Sequence, residues 1–232
     1  MNDKNVFSLL AAPRELYIDH INTAIKHWEF LAPRFQSSLT RVFRINHVEI
    51  NELVKKVIRF HDLGKLTFQW QRNIREESKK KFPHASLGAA YLFKSQPEPI
   101  KYPMAFAVLI HHTDRGIVTD GLENPDVRAL KSGLISNDET VRWADEVNIL
   151  SEQEFPCDTR ILSLYDLKKM ARELRRWSRS GSFIEMHARR MEASLLHHIL
   201  RICDVRAASE RDVFDVQRYP FVNRLLYGGM NL

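Results

Sequence analysis

Phe60-His61-Asp62-Leu63-Gly64-Lys65 is the stretch on which the reading of this chain turns. Leu53, Val57 and Phe60 before it keep helical spacing, so the run is predicted at the end of a helix, with Gly64 supplying a left-handed cap. Successive side chains inside a regular helix diverge by about 100°, whereas two neighbours at a helix end can point into one cavity. The same arrangement recurs at His111-His112, which closes the apolar run Ala105-Phe-Ala-Val-Leu-Ile110. His20 lies on the apolar face of the first helix with Leu16 and Ala24, and His84 opens the small-residue stretch Ala85-Ser-Leu-Gly-Ala-Ala90, which allows close approach between helices. Asp204 sits on a largely apolar helix, where a lone carboxylate is costly unless it is paired, here with Arg201, or bound to a metal.

Each of these residues alone reads as a capping, core or surface group. Together they match a different demand. Two divalent cations about 3.5–4 Å apart need a carboxylate between them, imidazoles to complete each shell, and open positions for water and a phosphate. Asp62 is the natural bridge.

The order of a single His, His-Asp with Gly-Lys, a single His, His-His and a late Asp resembles the HD phosphohydrolase superfamily. It is most similar to the CRISPR-associated HD nucleases, the nuclease part of the type I interference helicase-nuclease. The resemblance spans roughly the whole chain and implies an all-α, HD-domain helical bundle with a central metal site. It implies that His20, His61, Asp62 and Asp204 hold one ion, and that Asp62, His84, His111 and His112 hold the other. Imidazole-rich shells of this kind suit Mn, Fe, Co or Ni better than Mg. The implied reaction is metal-dependent hydrolysis of phosphodiester bonds in single-stranded DNA, with Asp62 at its centre and Lys65 stabilising charge on the phosphate; the bland reading of Lys65 is a solvated helix-end lysine. The family places a serine where Ala208 stands, and Ser209 follows one residue later. No Walker A sequence is present, so the implied partners are a separate helicase and an RNA-guided surveillance complex.

Two rival readings stay open. One is a two-metal HD phosphohydrolase acting on nucleotides or cyclic dinucleotides, although Thr113-Asp-Arg-Gly116 follows His111-His112 where the cyclic-dinucleotide branch has Gly-Tyr-Pro. The other is a helical interaction module with a structural metal.

At 232 residues and 44% hydrophobic, the chain is expected to be one domain over 1–232. The net charge of +6 favours a polyanionic partner. No stretch of 18 apolar residues and no signal-like N-terminus is found, so a soluble cytoplasmic protein without a membrane partner is expected. Cys157 and Cys203 read as reduced and structural.

Few glycines and many 3.6-period segments predict helices at 14–31, 47–60, 65–80, 84–95, 103–112, 139–149, 158–178, 182–209 and 220–227, with Pro33, Pro83, Pro97, Pro99, Pro125, Pro156 and Pro220 between them. Residues 113–138 read as an irregular loop. Lys168, Arg172, Arg175 and Arg179 form a basic stripe near Trp177 that could track a DNA backbone or could equally be a solvated face. Lys79-Lys80-Lys81 and Arg189-Arg190 are weaker basic candidates. His197 is a possible support for Asp204, while His27, His47, His187 and His198 read as packing or surface residues.

Overall fold

The computed structural model describes residues 8–78, 84–112 and 134–211. Its elements are a short antiparallel hairpin, β1 (Leu10–Ala12) and β2 (Glu15–Leu16), followed by helices α1 (Tyr17–Phe43), α2 (His47–Phe60), α3 (Phe68–Arg75), α4 (Ala85–Ser95), α5 (Lys101–Leu109), α6 (Cys157–Arg160), α7 (Leu164–Arg179) and α8 (Phe183–Arg211). Short 3-10 turns occupy Leu63–Leu66 and Asp145–Ile149. The all-α reading therefore holds. The helix predicted at 220–227, the Lys79-Lys80-Lys81 run and most of the predicted loop lie outside the described residues.

Apolar stripes account for the packing. Trp28 and Leu31 of α1, Ile50 and Ile58 of α2, Leu92 of α4, Val108 of α5 and Ile199 of α8 are almost completely buried in one connected core. In it α1 packs on α2 and α8, while α4 and α5 form a hairpin that rests on α8 and α7. Helix starts are fixed by reciprocal capping. Asn46 Oδ1 accepts from Glu49 N at 2.9 Å while Asn46 N donates to Glu49 Oε2 at 3.3 Å, and Ser163 with Asp166 does the same for α7.

Several predicted boundaries move. The first helix runs on to Phe43 through Pro33. Pro33 is on the solvent face, so the Glu29 carbonyl deprived of its amide partner is open to water, and burial of Leu31 and Leu39 on either side carries the helix across. The helix predicted at 139–149 is instead extended chain with isolated bridges at Ile135–Val141, Thr140–Ser163 and Thr67–Trp143, ending in the 3-10 turn. Asp138 accepts from the Ser136 and Thr140 hydroxyls and from Thr140 N, and this local bonding outcompetes a helix start. The segment 158–178 breaks at 161–163 because Ser163 begins a new helix. The segment 65–80 likewise splits, its 3-10 turn at Leu63–Leu66 passing into α3.

Gly64 is not the left-handed cap, since Gly181 is the positive-φ glycine among the described residues. A Cβ on Gly64 would instead fall 2.6 Å from His84 Cα, so this glycine lets the His84 backbone close over the His-Asp turn. Gly88 plays the matching part from the other side: its Cβ would collide with the Phe60 carbonyl oxygen, just before His61. A methyl group there meets fixed backbone, so Gly88→Ala is expected to cost about 1–3 kcal/mol or more in urea unfolding. An unchanged unfolding midpoint contradicts this packing.

Candidate metal centre

Five elements deliver the expected site residues to one place. His20 comes from the start of α1, His61 and Asp62 from the turn after α2, His84 from the residue before α4, His111 and His112 from the turn after α5, and Asp204 from α8. They form two donor sets. One contains His20, His61, Asp62 and Asp204, the other Asp62, His84, His111 and His112, and within each the ligand atoms lie within 4.8 Å of one another.

Asp62 belongs to both because its two oxygens face opposite ways. Oδ2 lies 3.5 Å from His20 Nε2 and 3.3 Å from His61 Nε2. Oδ1 lies 3.2 Å from His84 Nε2 and 3.7 Å from His111 Nε2. Asp204 Oδ1 completes the first group at 3.2 Å from His20 and 3.5 Å from His61. His112 completes the second, its Nε2 2.6 Å from that of His84.

The ring orientations are set by the opposite nitrogens. His61 Nδ1 donates to the Ile58 carbonyl at 2.6 Å, His111 Nδ1 to the Val108 carbonyl at 2.6 Å, and His20 Nδ1 to Glu15 Oε1 at 3.0 Å. Each bond fixes Nδ1 as the donor and leaves Nε2 as the inward-facing ligand atom. Those three Nε2 atoms and both Asp62 oxygens are buried without a geometrically proper hydrogen-bond partner. Buried polar atoms left in this state are costly, and the donor set fits divalent cations that accept imidazole and carboxylate together.

Electrostatics follow from the same crowding. Burial alone would raise Asp62, but His61, Lys65 and His111 hold it well below the usual carboxylate range. Asp204 is likewise opposed by burial yet held well below that range by His20 and His61. Burial works against charging His61, and Asp62 with Asp204 outweighs it, lifting the imidazole to about 10. His84 is pushed down by burial, with Lys65 and His111 adding to the effect against Asp62. Desolvation, then His111 and His84, take His112 down to about 2. Lys65 Nζ stands 2.6 Å from Asp62 Oδ2, which places its ammonium at the edge of the cluster with its side chain 12% exposed.

Other supports were not legible in the sequence. Glu15, in β2 just before α1, reaches His20 in the first turns of that helix. Buried Gln71 ties Leu10 to the Lys65 carbonyl, accepting from Leu10 N and donating to both carbonyls. Arg201, weighed as a partner for Asp204, donates to the His111 carbonyl at 2.8 Å. His197 bonds to the Ile110 backbone. The Ser209 hydroxyl donates to Val205 within its own helix. His27 pairs with Glu210, and His47 bonds Thr40. His187 and His198 pack against Phe183 and Phe35.

Lys168, Arg172, Arg175 and Arg179 are all exposed on α7. That helix meets the far end of the α4–α5 hairpin, where Lys94 pairs with Asp166 and Trp177 stacks on Tyr102. Tyr102 and His111 are separated along α5 by about 13 Å at 1.5 Å per residue. The stripe is thus not part of the donor cluster, and Arg189 is engaged with the Trp177 and Ser180 carbonyls.

No family model matches the chain. A CRISPR-associated endonuclease Cas3-HD of Methanocaldococcus jannaschii is 26% identical over 119 residues, which is 46% of this chain and 49% of that protein. The chain thus matches about half the length of that relative. A CRISPR-associated endonuclease Cas3-HD of Thermoproteus tenax is 24% identical over 222 residues, 91% of this chain and 93% of that one. Among solved structures, the CRISPR-associated Cas3 HD domain protein from M. jannaschii superposes with a TM-score of 0.61 at 20% identity, over 84% of this chain and 100% of that one. The chain therefore resembles CRISPR-associated HD nucleases in sequence, and its fold is that of the HD domain. Among the described residues no helix is long and apolar enough to cross a membrane.

The raised His61 value sets a sign for metal uptake. Near pH 7 the metal-free imidazole carries a proton on the nitrogen that a cation needs, so binding must release it. Mn titrations by calorimetry are expected to show proton release at pH 7, read as heats that vary with buffer ionisation enthalpy. Affinity should rise as pH climbs toward 10. The stability that His61 lends the metal-free fold runs the other way, full below about 6.5 and lost as pH rises through about 10. Buffer-independent heats contradict this assignment.

Proposed function

We propose that the protein is a metal-dependent nuclease that hydrolyses phosphodiester bonds of single-stranded DNA, as the cutting component of type I CRISPR interference. It would work beside a separate helicase and an RNA-guided surveillance complex. One observation carries the reading: the Asp62 carboxylate divides its two oxygens between two sets of imidazoles whose Nε2 atoms are aimed inward. The relatives from M. jannaschii and T. tenax are named CRISPR-associated endonucleases, which supports a nuclease activity and a CRISPR setting.

Two divalent cations, Mn, Fe, Co, Ni or Mg, would be held by the two donor sets and would supply an activated water and charge neutralisation at the phosphate. The protein's own groups do the rest. Asp62 fixes the separation of the two sets, and the carbonyls of Ile58 and Val108 with Glu15 keep the rings from turning. Lys65 brings a compact positive charge to the cluster edge, where it can hold a non-bridging phosphate oxygen and stabilise charge that grows there. The elevated net charge favours a polyanion over a small neutral substrate.

Asp62→Ala is expected to abolish hydrolysis and to remove both ions, because the shared carboxylate serves both sets. His84→Ala should lose one ion and keep the other. Metal content by mass spectrometry reads both outcomes, and equal loss of both ions from His84→Ala would show that the sets are divided differently.

Lys65→Ala is expected to retain the metals and the fold but to lower turnover of single-stranded DNA by about 10²-fold or more, the scale of one preorganised donor. Lys65→Arg should restore only part of it, since a planar fork replaces a point charge. Assays on a long single strand and on mononucleotides separate a nuclease from a nucleotide hydrolase, and turnover confined to mononucleotides would overturn the proposal.

A further inference from the structure

Trp70 stands at the mouth of the donor cluster, and the hydrolytic reading gives it no task. Its indole packs edge-on against His84, with centroids 4.8 Å apart and planes at 67°. Lys65 Nζ lies 5.7 Å from its ring centroid while pairing with Asp62. The side chains of His20, His61, Asp62 and His111 are 0–2% exposed, but those of Lys65, His84 and Asp204 are 11–13% exposed. His112 is exposed as well, so solvent, and with it substrate, reaches the cluster past His112, Lys65, His84 and Asp204, and Trp70 touches two of these, Lys65 and His84.

A packing role would leave the polar edge of this tryptophan unused. Trp70 is only partly buried, yet its indole N–H is buried and meets no acceptor among the described residues. An unpaired buried donor costs about 1–3 kcal/mol, and a phenylalanine or leucine could brace His84 without it. What an indole offers beyond those side chains is a large, electron-rich face. Every nucleobase has a complementary one, and in a duplex that face is already covered by its neighbours.

We propose that Trp70 is a stacking platform for an unpaired nucleobase, which seats the adjoining phosphate over the donor cluster and so selects single strands over duplex. The assignment rests on the nuclease reading and adds the residue that would read strandedness. An ordinary packing role for the ring is the outcome the test must exclude.

Binding of a labelled oligothymidine, followed by fluorescence anisotropy without added metal, is compared for the parent, Trp70→Ala and Trp70→Phe. Loss of one stacked base should weaken binding by about 5- to 150-fold in Trp70→Ala, with most of the affinity recovered in Trp70→Phe. In Mn the alanine variant should show the same deficit as a raised KM on single-stranded DNA with kcat little changed, and its Mn content should equal the parent's. The parent should bind the same DNA as a duplex more weakly, and Trp70→Ala should not alter that binding.

Parent-like oligothymidine binding by Trp70→Ala overturns the proposal, as does loss of Mn in step with binding, since the ring would then merely hold His84. If the parent cuts single strands and the variant binds them normally, the stacking role fails and the nuclease reading stands. If the parent binds through Trp70 and cuts no DNA, the reverse holds.

Discussion

Everything in this fold is arranged around one buried carboxylate. Asp62 is about as solvent-inaccessible as a side chain can be, and an isolated ionised carboxylate in such a place is unfavourable by several kcal/mol. Its ionised form is held by four imidazoles and the Lys65 ammonium, which approach from both sides. No single helix can present that many groups to one point. The chain therefore brings five elements to it, and two glycines, Gly64 and Gly88, let the backbones close to the distance required.

The same crowding explains why the site is orderly. Imidazoles placed around a carboxylate could rotate to bond each other or the carboxylate oxygens. Here the two helix-end histidines, His61 and His111, each spend Nδ1 on a carbonyl three residues back, which locks the rings. Arg201 and His197 of α8 then hold the Ile110-His111 backbone one turn or more before Asp204, so the helix that supplies a ligand to one set also positions the other set. The two halves are tied mechanically as well as through Asp62.

Much of this was legible in the sequence, for a physical reason. Helix ends, apolar periodicity and clustered histidines are local signals, and the α2 boundaries at His47 and Phe60 follow directly from them. The residues brought together, His20, His61, Asp62, His84, His111, His112 and Asp204, are those the pattern singled out. What could not be read depends on contacts between distant segments. Pro33 stays helical because its unbonded partner faces water, residues 139–144 are extended because loop carbonyls from Leu66 and Leu134 accept their amides, and Gly64 is required by His84 and not by a turn. Gln71 and Arg201 carried no signal because their partners Leu10 and His111 are distant in the chain, and Glu15 carried none because its contact with His20 depends on how β2 passes into α1.

On the proposed function, the Asp62 carboxylate would serve two cations at once. Electron paramagnetic resonance of the chain saturated with Mn tests it directly. Two ions that shared Asp62 would be close enough, about 3.5–4 Å, to interact magnetically, so two Mn per chain with an exchange-coupled spectrum is the expected result. The spectrum of a single isolated Mn per chain at saturation would contradict the account.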